Sequence, residues 1–294
     1  MQYAIALGFF DGVHMGHGAL LRRGMALANE RGLEPAVCTF DRSPAAALGR
    51  GDARLINSFD DRKKLIYELF GIDNVIVLEF DETLRSMEPE AFVEMLARDY
   101  GAGALVCGWN YRFGAGGRGD STLLRRECER LGLGFDVQPA VEIGGEPVSS
   151  TRIRTLLENG ETIAAKELLG HPHILGGIVQ HGNALGRTLG FPTANLRIPK
   201  GVLAPKYGVY AVRVRLGDET FGGIANVGEK PTVGDTAVGV ETNIFDFDRD
   251  IYGEHITVEF GEFIRPEQKF SGLEELTAQV LSDAAAVREA LKNR

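Results

Sequence analysis

Cysteine is scarce: Cys38, Cys107 and Cys128 are the only three in 294 residues, and no two stand at CxxC spacing. That leaves neither a disulfide framework nor a zinc knuckle, and it fits a reducing cytoplasm. Positive charge is also in deficit. Thirty-two Lys and Arg against 41 Asp and Glu give a net charge of -9, which removes the bulk attraction of a basic face for nucleic acid or an anionic membrane. Any anionic ligand must be held by local donors. No apolar run approaches the ~18 residues of a membrane helix. The apolar start MQYAIALGFF lacks a basic flank and is cut by Asp11, unlike a secretory signal. Repeats and low-complexity tracts are missing as well. Glycine, by contrast, is abundant: 38 residues, about 13% against a usual ~7%, which calls for many tight turns or close backbone approaches. The length suggests about two domains, each able to bury a core.

The chain has two grammars. Up to about residue 170, the apolar runs YAIALG, AVCTF, NVIVLEF, GALVCG and FDVQPAV alternate with helical patterns near 19–31, 60–70, 89–100, 121–132 and 151–169. Continuous apolar strands between helices predict a parallel sheet covered on both faces, with ligands at the carboxyl ends of its strands. From about residue 175 come close-spaced strands: GGIVQHG, YGVYAVRVRL, ETFGGIANVG, VGVETNIFDF and HITVEFGEFI. Val212, Val214 and Leu216 alternate with Arg213 and Arg215, and LGDET reads as a hairpin turn. A helix from about Leu273 ends the chain, and GHPHILGG is the junction.

His14 and His17 lie three apart in GFFDGVHMGH, between the first strand and the first helix. Zinc needs three or four protein ligands, and no third His or Cys stands at a recognisable spacing. Two functionless loop histidines are the other alternative if the motif is taken alone. A strand, then glycines that admit phosphate, then two imidazoles able to donate to developing charge, is the arrangement nucleotidyl transfer requires. In SSTRIR, residues 149–154, Ser149, Ser150 or Thr151 caps a helix whose free amides, with Arg152 and Arg154, form an anion cradle. An ordinary capped helix with surface arginines is an equal reading of that segment alone. In PTAN, Thr193 and Asn195 are two apart, so on extended chain both face one way and reach one hard cation; a purely structural loop is the alternative.

In this order and spacing, ALGFFDGVHMGH, GWNYRFG and VSSTRIR resemble the nucleotidyltransferase half of the prokaryotic bifunctional riboflavin kinase/FAD synthetase (FMN adenylyltransferase) family. The resemblance continues through HGNALGRTLGFPTANL, GIANVGEKPTV, VETNIFDFDRDIYG and FIRPEQKF, over nearly the whole chain. The fold it implies is α/β: a Rossmann-like nucleotidyltransferase domain with a parallel sheet over residues 1–172, then a riboflavin-kinase-like antiparallel β-barrel with a C-terminal helix over 173–294. It implies ATP as co-substrate, Mg2+, and riboflavin, FMN and FAD as substrates and products, with no nucleic-acid or membrane partner and a monomer or weak homo-oligomer in the cytoplasm. By the same resemblance His14 and His17 are catalytic in the first half and Glu241 is the base in the second. Gly8, Phe9, Asp11, Asn110, Ser150, Thr151, Arg154, Gly182, Gly186 and Gly190 bind nucleotide, Arg265 and Phe247 flank the flavin, and Thr193 and Asn195 hold the metal.

Three positions depart from the family pattern. TFDRSP has Arg42 and Ser43 where a Pro-His pair is usual, GWNYRFG has Asn110 for an acid, and VETN has Asn243 for a histidine. The first raises a rival reading, a riboflavin kinase whose transferase half is impaired or prefers another nucleotide. A non-catalytic flavin sensor is a third, against which the retention of His14, His17, Thr193, Asn195 and Glu241 together speaks.

Overall fold

The computed structural model describes residues 2–44, 49, 54–182, 191–232 and 235–292, with backbone alone at 230–232, 235–237 and 290–292. Gly186 and Gly190 lie outside the described residues. The chain forms two units, Met1–Leu55 with Arg62–Ser150, and Ile56–Asp61 with Thr151–Arg294.

In the first unit the five apolar runs become strands β1 (Tyr3–Leu7), β2 (Glu34–Phe40), β3 (Val75–Leu78), β4 (Ala102–Gly108) and β5 (Gly134–Gln138). They pair in parallel in the order β3-β2-β1-β4-β5. Helices α1 (Met15–Arg31), α2 (Phe59–Phe70), α3 (Glu82–Ser86), α4 (Pro89–Asp99) and α5 (Ser121–Leu131) connect them. Their ends follow from the sequence: Asp120 caps α5 by accepting from the Thr122 and Leu123 amides, and Gly32 and Gly132 close α1 and α5 in the left-handed region. Gly24 lets α1 lie close on the sheet, since a Cβ there would stand 3.2 Å from Val106 Cγ1. The strand order reverses between β1 and β4, and at such a switch point the loops leaving the two strands open a crevice. GFFDGVHMGH follows β1 and GWNYRFG follows β4, so the Rossmann-like topology brings the two motifs to one place.

A short antiparallel pair, β6 (Glu142–Ile143) and β7 (Glu146–Pro147), follows β5; from Thr151 on, the second unit takes in α6 (Ser150–Asn159) and α7 (Thr162–Leu169). The pattern over 151–169 suggested one helix; Gly160, at φ 81°, splits it. Helix α1 likewise starts at Met15 rather than near 19, because its first turn is polar and glycine-rich. Strands β8 (His173–Ile178), β9 (Ala194–Arg197), β10 (Gly208–Leu216), β11 (Glu219–Thr232), β12 (Asp235–Ile244) and β13 (His255–Pro266) form an antiparallel sheet in the order β8-β13-β10-β11-β12-β9. Just past β8, the Gln180 amide donates to the Asn195 carbonyl at 2.9 Å, which joins the two edge strands and closes the barrel. Tyr210, Val212 and Val214 point inward onto Val227, Val240, Ile256 and Val258. The opposite face carries Val209, Ala211, Ile224 and Phe245 against Val287 of the C-terminal helix α8 (Leu273–Lys292). Gly217, at φ 57°, makes the two-residue turn read in LGDET. β11 runs on through Pro231, past the pattern that announced it: beyond Val227 it pairs with β12 alone, so the donor proline lacks falls on a free edge.

Candidate active sites

In the first unit the chain leaving β1 turns sharply. Phe10, Gly12 and Val13 all take positive φ, at 60°, 82° and 43°, and a β-branched residue there is a true outlier that needs outside support. The support is specific. The Phe9 carbonyl accepts from Thr39 Oγ1 at 3.1 Å and Arg62 Nη1 at 2.6 Å, and the Asp11 carbonyl accepts from Ser150 Oγ at 2.9 Å. The Phe10 ring lies against Gly8, where a Cβ would approach it to 3.0 Å. The turn ends at His14, which caps α1: its Nδ1 accepts from the His17 amide at 3.3 Å. In neutral His14 the proton is thereby placed on Nε2, as a donor.

His14 and His17 stack with ring centres 3.6 Å apart and planes 14° from parallel. Burial, then His14 and then Arg62 hold the His17 pKa well below its ordinary value, so the ring is neutral near pH 7. Its Nδ1 is buried without a hydrogen-bond partner. The site therefore offers two stacked imidazoles, His17 neutral, at the positive end of a 17-residue helix. Among the described residues no cluster of three His, Cys, Asp or Glu side chains is placed to hold a metal. Asn110 is exposed in the turn after β4, where the Tyr111 amide donates to the Gly108 carbonyl at 3.1 Å. Thr151 and Arg154 follow Ser150 on the first turn of α6, with Arg154 Nη2 3.3 Å from Thr151 Oγ1. Arg42, the departure after β2, is exposed and drawn sideways to Asp41 at 2.9 Å and Glu79 at 4.0 Å.

The second site is a row across the barrel. Asn195 on β9, Glu241 on β12, Asn226 on β11, Val209 on β10 and Arg265 on β13 are register partners in turn, so they share one face, the one α8 covers. Two pockets meet along this row. One is lined by Gly182, Thr193, Asn195, Phe247, Arg249 and Tyr252. The other lies between the sheet and α8, where Thr193, Glu241 and Arg265 face Phe270, Leu276 and Val280. Thr193 belongs to both. Asn195 Nδ2 donates to the Thr193 carbonyl at 3.2 Å, and its amide packs so close to Gly182 that a Cβ there would meet it at 2.6 Å. Asn243, the histidine departure, donates from Nδ2 to the Pro192 carbonyl at 2.9 Å and so fixes the same segment.

Phe247, expected beside the flavin with Arg265, lines the first of these pockets and Arg265 the second. The strand ends at Ile244, Asp246 takes φ 54°, and the chain swings the Phe247 ring onto Phe221 at 5.1 Å and under the Arg249 guanidinium at 4.8 Å. Arg265 does line the second pocket, but its guanidinium is paired with Asp283 of α8, Nε at 2.9 Å and Nη2 at 2.8 Å. The pair pins α8 over the pocket. Asp283→Ala, at a side chain 6% exposed, is expected to cost about 3 kcal/mol by stranding that cation; the check is a lower denaturant midpoint for loss of the barrel's activity. Sequence reasoning also missed Thr39 and Arg62 in the first site and Asn226 and Glu267, joined at 3.1 Å, in the second. None stood in a quoted motif as a likely ligand: Arg62 hides in the charged run DDRKK, where a solvated helix face is the ordinary reading.

Comparison with known proteins agrees with this geometry. The FAD synthetase family profile matches residues 1–152 and the riboflavin kinase profile residues 169–291. A bifunctional riboflavin kinase/FMN adenylyltransferase of Listeria monocytogenes is 38% identical over 97% of this chain and 91% of its own length. The Bacillus subtilis protein of that description is 36% identical over 95% and 89%, and the Escherichia coli K12 protein 38% over 97% and 91%. A crystal structure described as a macrolide-efflux protein from Streptococcus pneumoniae superposes with a TM-score of 0.85, at 32% identity over 98% of this chain and 94% of its own. Among the described residues of this chain no helix is long and apolar enough to cross a membrane.

Proposed function

The chain belongs to the bifunctional riboflavin kinase/FMN adenylyltransferase family, and from that premise we propose how its two activities divide between its two sites. The enzyme phosphorylates riboflavin to FMN with ATP and adenylylates FMN to FAD with release of pyrophosphate. Adenylyl transfer belongs to residues 1–172 and the kinase to 173–294. The observation that carries the assignment is the pair of stacked imidazoles at the β1–α1 turn on one side, and the carboxylate of Glu241 lining the pocket beside α8 on the other.

At the first site an FMN phosphate oxygen attacks the α-phosphorus of ATP and the bond to pyrophosphate breaks. That nucleophile is already largely dianionic near pH 7 and needs no base. His14 and His17 donate to the charge that builds on the phosphoryl oxygens, and Gly8, Phe9, Asp11, Asn110, Ser150, Thr151 and Arg154 hold the nucleotide. At the second site the attacking group is the ribityl 5′-hydroxyl, which must lose its proton as it meets the γ-phosphorus; Glu241 takes it. Gly182, Phe247 and Arg249 wall the nucleotide pocket, Gly186 and Gly190 of the same glycine-rich sequence serve the nucleotide as well, and Arg265 closes the flavin pocket through Asp283. Thr193 and Asn195 offer hard oxygen ligands, which suits Mg2+, an ion that keeps water and phosphate in its shell. When bound, it neutralises phosphate charge during transfer. As a monomer or weak homo-oligomer the enzyme works in the cytoplasm, a setting its three buried free thiols tolerate.

Incubation with riboflavin, ATP and Mg2+ followed by separation of the products tests the whole reading. FMN and FAD should both appear; FMN alone would remove the adenylyltransferase assignment. The only tryptophan, Trp109, is 54% exposed beside Asn110 at the carboxyl end of β4. It is placed to stack on the flavin ring of FMN, and Trp109→Ala is expected to raise KM for FMN about tenfold, since such stacking is worth ~0.5–1.5 kcal/mol. KM for riboflavin should not move; equal rises in both would show that Trp109 acts only on folding.

A further inference from the structure

Arg62 is the most deeply buried charged side chain at the adenylyl site, 2% exposed, and no motif contains it. It reaches from α2 to beneath the histidine turn. Nη1 donates to the Phe9 carbonyl at 2.6 Å and Nη2 to the Phe40 carbonyl, at the end of β2, at 3.1 Å. The guanidinium also lies over the Phe9 ring, 4.4 Å from its centre. A planar fork is thus inserted between the ends of the neighbouring strands β1 and β2, where β1 releases the histidine turn.

We propose that Arg62 is a positioning residue for adenylyl transfer: by gripping the Phe9 carbonyl from below, it sets the strained turn that presents His14 and His17. Hydrogen-bond satisfaction alone does not account for it, because Thr39 already donates to that carbonyl. Three residues of the turn sit at positive φ, and such strain persists only where surrounding contacts over-determine it. Arg62 ties the turn to β2, and the Ser150 hydroxyl holds the Asp11 carbonyl. Its charge bears on the same groups. Around His17 stand His14 on its own helix, Arg62 on α2 and, beside Arg62, Asp11 on the turn, and Arg62 contributes to keeping His17 neutral.

Arg62→Met and Arg62→Lys test this in the full-length enzyme. The proposal rests on the histidine site being the adenylyl site, which His17→Ala tests separately. In an enzyme that needs His17, Arg62 variants of parental activity would remove this inference alone. Arg62→Met is expected to lower kcat for FAD formation about a hundredfold, the usual result of misplacing reacting groups by about 1 Å, with KM for FMN changed by less than about threefold. FMN formation by the same preparation and the near-ultraviolet circular dichroism of Trp109 should be unchanged, which excludes loss of the fold. Arg62→Lys, which restores charge and one donor but not the fork, is expected to recover about tenfold of the lost rate. The His17 imidazole, followed by NMR, should titrate at higher pH in Arg62→Met than in the parent. Parental kcat in Arg62→Met would overturn the proposal, as would an unshifted His17 titration with no rescue by lysine, or a fall in kcat accompanied by loss of the Trp109 signal.

Discussion

His17→Ala is expected to reduce FAD formation about a thousandfold while FMN formation by the same chain keeps its parental rate. The size follows from the role. Adenylyl transfer to a phosphate needs no proton removed, so the protein's contribution is placement and stabilisation of charge on the phosphoryl oxygens; deleting one preorganised donor from such a site costs about 10²–10³ in rate. His17 also stacks on His14 at 3.6 Å, and its backbone amide is the group His14 Nδ1 accepts from. Removing the ring therefore loosens the second donor as well as deleting the first, which places the effect at the upper end. The pH dependence carries a sign. The folded-state pKa of His17 lies well below its ordinary value, so the ring stays neutral as pH falls from 8 to about 6, and FAD formation should show no step there from His17 protonation. The check is product separation with riboflavin in one reaction and FMN in another, over that pH range. Equal loss of FMN and FAD formation would show that the two sites are not independent.

Much of this was legible in the residues. Apolar runs without alternation, set between helical patterns, announce a parallel sheet, and all five such runs became its strands. The position of GFFDGVHMGH after the first of them placed the histidines at a crevice before any coordinate was known. Legibility ended where local pattern and tertiary contact part company. Arg62 lies in DDRKK, where three-dimensional burial, not composition, separates one arginine from its solvated neighbours. The resemblance sets Phe247 beside the flavin, but the local pattern does not tell which pocket its ring lines: past the strand end at Ile244, the left-handed residue Asp246 turns the ring into the pocket lined by Thr193, Asn195 and Arg249. Gly160 divides a helical pattern by one backbone angle, and a glycine within a periodic run does not declare whether it is tolerated or terminal. The departure at Arg42 looked like altered chemistry; its partners Asp41 and Glu79 lie 39 or fewer residues away on the adjoining strand ends and take up its charge.

For the kinase, Glu241→Gln carries the largest expected loss: FMN formation should fall by at least about a hundredfold, within the ~10²–10⁴ that a positioned general base supplies, while FAD formation from added FMN is unchanged. The substitution keeps the shape of the side chain and an acceptor oxygen but removes the basicity. It therefore separates proton acceptance from packing in a way that alanine does not. The placement of Glu241 makes the test sharp. Its register partners are Asn195 and Asn226, neutral amides on either side, so it is the one carboxylate of the row, and Thr193, shared by both pockets, marks where phosphate and hydroxyl meet. Across the flavin pocket Glu267 is already held by Asn226 at 3.1 Å and Asp283 by Arg265 at 2.8 Å, which leaves each with a structural task. The difference from the transferase half is chemical: an alcohol must surrender its proton during attack and a phosphate need not, so one half of the chain requires a carboxylate where the other makes do with two stacked imidazoles. An unchanged kinase rate in Glu241→Gln would remove Glu241 from the mechanism, and with it the reason for this asymmetry.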